Sequence, residues 1–230
     1  MAETDPPLDI NALVQEYVTQ KDWEQDKAHV RNTSEAVQTL VRAVVDTGTI
    51  DKYAMRTVYN LCQNDSSISP EKKKERIENI EINQDAKSEI KQCIDNGTGI
   101  VGKGRYTVPI EGYEQDAYKF LKKVIESDDK ETIDEAIKEF ASLDINGIQA
   151  GIISVILYFL HPEKYPISNK RSRIAMEKYF DYEISSRLND YVEDTEKFRR
   201  VQERYPFEEN YRHLDNFFNW IERQDRPRTV

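Results

Sequence analysis

Gly97-Thr98-Gly99-Ile100-Val101-Gly102-Lys103-Gly104 meets the first seven places of the phosphate-loop pattern G-x-x-x-x-G-K-S/T. The eighth place, whose hydroxyl would hold Mg²⁺, is Gly104. Such a loop must follow a buried strand and open a helix, so that backbone N–H groups meet the phosphates. Here a charged helical pattern precedes it, and Tyr106-Thr107-Val108-Pro109 follows in an extended pattern. The segment therefore reads as a glycine-rich connection, with Lys103 and Arg105 as candidate contacts to a nucleic-acid phosphate. His29, His161 and His213 lie far apart with no partner at metal-ligand spacing, and no serine has the elbow or adjacent base of a nucleophile. No metal and no cofactor is expected. Cys62 and Cys93 fall on helical stretches and read as buried apolar residues in a reducing compartment.

A second group of residues is better organised. From Phe140 the chain reads FASLDINGIQAGIISVILYFLHPEKYPISNKRSRIAMEKYF. A helix with Ile133, Ile137 and Phe140 on one face runs into Ile145-Asn146-Gly147-Ile148, and an apolar helix follows. A short glycine-bearing hairpin lets N–H groups at the start of the second helix point outward, an anion site that suits DNA phosphate. Pro162 stops that helix, and Pro166 leads into one carrying Lys170, Arg171, Arg173 and Lys178. Arg171, with its fork of donors, is the strongest phosphate candidate there. The same helix also reads as a solvated face balanced by Glu163, Glu177 and Asp181.

Over about residues 133–180 this stretch resembles the helix-hairpin-helix DNA glycosylase superfamily, in particular its oxoguanine-glycosylase-like branch. The hairpin of that branch is matched by Asn146-Gly147-Ile148-Gln149, its small-residue position by Ser154, and its NP-x-x-F/Y-P-I/V-x-D-x-R run by His161 to Arg171. The HPEKYPISNKRSR segment is also similar to recognition segments of restriction and other defence proteins. The resemblance implies a DNA partner met by Gly147, Gln149, Lys170, Arg171 and Arg173. It also exposes departures. The essential aspartate falls at Asn169, which supplies a dipole but no charge; the lysine nucleophile falls at Gly151; the second hairpin glycine falls at Gln149. The first expectation is thus a non-catalytic DNA-binding module, in modification recognition or defence. The alternatives are a glycosylase in which Asn169 orients water, and an adaptor holding a protein partner.

These residues must be placed by helices. The chain has 230 residues and a formal net charge of −10, with 38% apolar and 33% charged residues. Glycine and proline together make about 7%, against an average near 12%, which disfavours sandwiches and barrels. The acidic balance opposes DNA binding unless a basic patch is localised. The start MAETDPPLDI shows no basic or apolar leader, and the apolar run from Ile145 to Leu160 is too short to span a bilayer, so a cytoplasmic protein is expected. Periodicity predicts an all-α fold: an N-terminal helical subdomain over 1–95, a glycine-rich connection over 96–113, and a helix-hairpin-helix-like subdomain over 114–225. Asp9 and Asn32-Thr33-Ser34-Glu35 read as helix starts, Pro70 as a first helical position, and Lys72-Lys73-Lys74 as a solvated face. The aromatic run Tyr205, Phe207, Tyr211, Phe217, Phe218 and Trp220 reads as a helix docked on the core.

Overall fold

α8 (Ala150–Leu160) organises the molecule, because its sequence AGIISVILYFL is apolar on every side and must be enclosed. All its residues except Gly151 are buried. Around it stand α2 (Glu24–Asp46), α3 (Lys52–Cys62) and α6 (Glu114–Glu126). The computed structural model describes residues 9–20, 24–64, 67–102, 108–208 and 210–224, and it is all-α, with no strand among the described residues. α4 (Pro70–Glu78) packs on α5 (Gln84–Asp95), and α5 on α2. α7 (Lys130–Ala141) packs on α6, where the Phe120 and Phe140 rings stack with centroids 4.7 Å apart. α9 (Lys170–Phe180) and α1 (Ile10–Gln20) both pack on α11 (Arg212–Gln224), and α10 (Tyr191–Arg204) follows a 3-10 turn at Leu188–Asp190. Buried side chains before and after the glycine-rich connection belong to one continuous cluster.

Local signals account for most helix starts. Asp9, Asp51, Ser69, Asn83 and Asp129 each accept hydrogen bonds from first-turn N–H groups, and Pro70 opens α4. The aromatic tail docks as expected: Tyr17 of α1 meets the rings of Phe217 and Trp220, and Phe180 meets Phe217 and Phe218. Among the described residues no helix is long and apolar enough to cross a membrane.

Two expectations need correction. Asn32-Thr33-Ser34 does not start a helix; it lies inside α2, and all three residues are buried. The polar atoms of Asn32 and Thr33 serve distant chain instead. Asn32 Nδ2 donates to the Asn96 carbonyl at 2.9 Å, and Thr33 Oγ1 accepts from Gly99 N–H at 2.8 Å. The second correction is Lys73, which is only 3% exposed. Its ammonium donates to the carbonyls of Gln63 (2.7 Å), Thr98 (3.0 Å) and Leu61 (3.4 Å), and to Thr98 Oγ1 (3.2 Å).

These contacts dock the first half of the glycine-rich connection onto the end of α3. The N–H groups of Ile100 and Val101 both donate to the Cys62 carbonyl at 3.0 Å. The N–H groups of Gly99, Ile100 and Val101 are therefore spent inside the protein and not free for a phosphate. Gly99 is required there: its φ is +93°, and a Cβ would stand 2.0 Å from the Gln63 oxygen. Lys103 and Arg105 lie outside the described residues.

Cys62 and Cys93 are buried, 0% and 5% exposed. Burial raises both thiols, Cys93 to about 11 with Glu35 and Glu89 adding to the rise, and Cys62 further. An aromatic disulfide reagent is expected to leave both unmodified in the folded protein and to titrate both in denaturant. Rapid reaction of either thiol without denaturant would refute that placement.

Candidate nucleic-acid interface

The site begins with the end of α7. Ile133, Ala136, Ile137 and Phe140 bury one face of that helix, so the chain leaves it close to the core. Leu143 and Asp144 donate back to the Phe140 and Ala141 carbonyls, with Asp144 left-handed at φ +47°. Ile145 to Ile148 then closes a tight turn through an Ile148 N–H to Ile145 O bond of 3.0 Å. Gly147, its third residue, has φ +86°, which such a turn reserves for glycine. Pro109, from the end of the glycine-rich connection, lies against it, 3.1 Å from where a Cβ would stand.

The start of α8 is partly closed. Ala150 N–H donates to the Ser186 carbonyl at 3.1 Å, which ties the hairpin to the segment before the 3-10 turn. The Gln149 carbonyl accepts from Ile152 and Ile153, while its side chain is exposed and caps nothing. Between hairpin and segment lies a cleft of about 220 Å³. Phe140, Ile145, Ile148 and Leu188 form its apolar part; Asp144, Asn146, Gln149, Arg187 and Asn189 form its rim. The rim side chains have no hydrogen-bond partner among the described residues.

α9 is carried to the same place. Ser154 Oγ, buried in α8, accepts from Ser168 N–H at 3.0 Å. The Ser168 carbonyl comes within 3.5 Å of a Cβ built on Gly151. Tyr191 OH donates to the Pro166 carbonyl at 2.7 Å, and Tyr165 OH to Asp134 at 2.8 Å, so the segment between the two helices is pinned. His161 closes α8 with its backbone N–H, donated to the Leu157 carbonyl at 2.8 Å, while its Nε2 meets the Val124 carbonyl of α6 at 2.9 Å.

The basic residues of α9 divide. Lys170 is exposed, with no partner among the described residues. Arg171 Nε donates to Glu222 of α11 at 2.8 Å, and Arg173 Nη1 to the Ser168 carbonyl at 3.2 Å. The Gly151–Ser168 approach brings the first turn of α8 against the segment leading into α9, with Gln149 two residues before it and Lys170 two residues after, whereas Arg171 is engaged with α11. The sequence does not single out Arg187 or Asn189, and it marks Asn146 only as part of the hairpin. The local signal is a stretch, Ser185 to Asp190, polar except for Leu188, between apolar Ile184 and the helix that follows.

Asn169 has a structural employment. Its Oδ1 accepts from Ser172 N–H at 3.0 Å and caps α9. Asn169→Ala is expected to cost about 1 kcal/mol, lowering Tm by roughly 2–4 °C, with DNA affinity unchanged. Thermal melts beside a binding titration check both, and a lost affinity at intact stability would contradict the assignment. The chain as a whole matches no family model, no curated protein and no solved structure.

Proposed function

We propose that this protein is a DNA-binding module that uses the α7–α8 hairpin and the start of α9, without glycosylase chemistry of its own. The observation that carries this reading is the contact of Gly151 with Ser168. It brings the first turn of α8, which follows the hairpin and its uncommitted Gln149, against the segment that leads into α9, whose first residue is exposed Lys170. The resemblance over residues 133–180 agrees with this use of the hairpin. The chemistry does not follow: Gly151 offers no amine, the Asn169 Oδ1 is spent on a cap, and Asp144, the carboxylate lining the cleft, has no partner among the described residues that would orient it. With a net charge of −10, affinity must rest on these few groups and be modest.

The test is an anisotropy titration with labelled duplex and single-stranded oligonucleotides of equal length. A micromolar Kd is expected for at least one form, weakening about tenfold between roughly 50 and 200 mM salt. Duplexes containing oxidised purines should bind without releasing base. Absence of binding to either form at low salt would overturn the reading, and release of a base would return Asn169 to catalysis.

A further inference from the structure

The hairpin cleft is poorly built for phosphate. A phosphate oxygen accepts hydrogen bonds only, yet Ala150 N–H is already donated to Ser186 and the Asp144 carboxylate stands on the rim. The remaining rim groups have another chemistry. Asn146, Gln149 and Asn189 each hold a donor and an acceptor in one plane, which is what the edge of a nucleobase also presents. Half-buried Ile148, over the buried side chains of Phe140, Ile145 and Leu188, gives the cleft a narrow apolar floor for the edge of a ring. At about 220 Å³ the space suits one planar ring system, below the roughly 300–1,000 Å³ of sites for larger ligands.

Resting on the nucleic-acid reading above, we propose that this cleft seats one unpaired base of a single-stranded nucleic acid, and that the protein prefers single strands to duplex. In a duplex the pairing edges are consumed, and a recessed cleft cannot reach them without extracting a base. A single strand offers a free edge at no such cost. Its lower charge density also suits a net charge of −10 with few uncommitted cations at the site. Lys170 and Arg187 then hold the strand while the amides take the base.

The experiment compares four probes on the wild-type protein by anisotropy: a short labelled homopolymer of thymidine, one of deoxyadenosine, an equally long strand of abasic nucleotides, and a duplex. A homopolymer is expected to bind about tenfold tighter than both the abasic strand and the duplex. The variant Asn146→Ala/Asn189→Ala should remove that advantage while leaving abasic-strand binding unchanged. Equal affinity for abasic strand and homopolymer, or tighter binding of duplex, would overturn the base site while the DNA reading stands. Failure of all four probes to bind would overturn both.

Discussion

Lys73→Met is expected to destabilise the protein by about 3 kcal/mol, a fall in Tm of roughly 6–12 °C. The substitution keeps the volume of the side chain but removes every hydrogen bond it makes. The carbonyls of Leu61, Gln63 and Thr98 then lose a charged donor in a site that is 3% exposed. An orphaned buried carbonyl costs about 1–3 kcal/mol, and relief from burying an ammonium returns only part of the total. The effect has a pH signature. Burial lowers the Lys73 ammonium to about 8, against about 10.4 in an unfolded chain. Between those values the unfolded state holds a proton that the native state has released, so Lys73 adds stability as pH rises. The buried thiols act oppositely: Cys62 and Cys93 stay protonated when folded and ionise when unfolded, so both wild type and variant lose stability above about pH 8.5. The gap between the two proteins should therefore widen from about pH 8 to 10. Chemical denaturation of both across that range checks it; a constant gap, or a variant as stable as wild type, would remove Lys73 from this role.

The second large effect falls on binding. Lys170→Glu/Arg187→Glu reverses two uncommitted cations beside the hairpin and should weaken DNA binding at low salt by at least about tenfold. Both residues are exposed and make no ion pair among the described residues, so the fold should survive with its Tm unchanged. Arg171→Ala is the informative companion. Its guanidinium is engaged by Glu222 on the protein surface, where such pairs contribute about 0–1 kcal/mol. Its loss should leave affinity within about twofold. A large loss with Arg171→Ala and none with the double reversal would move the interface along α9 toward α11.

The residues divide by how far their reasons travel along the chain. α8 is legible because eleven consecutive positions carry their own instruction to be buried. Asp51, Ser69, Asn83 and Asp129 are legible because a cap acts within one helical turn. Asn32 and Thr33 are residues of the same types, yet serve contacts with residues 96 and 99. Composition cannot distinguish a cap from a buried polar clamp. Lys73 looked like its neighbours Lys72 and Lys74, and only the approach of the glycine-rich connection separates it from them. At the site, Gly147 and Lys170 were visible as a hairpin and a basic helix. The rim residue Arg187 was not, because nothing near it in sequence reveals the Ala150 N–H bond to Ser186 that brings its segment to the hairpin.

The proposed binding sets DNA against the cations Lys170 and Arg187. Its most direct test is the slope of log affinity against log salt, wild type beside Lys170→Glu/Arg187→Glu, with whichever strand form binds more tightly. With two cations the predicted slope for wild type is about −1.4 on a single strand or about −1.8 on a duplex, and near zero for the variant, with weaker residual binding. The same slope in both proteins, or no binding by wild type at low salt, would contradict the account.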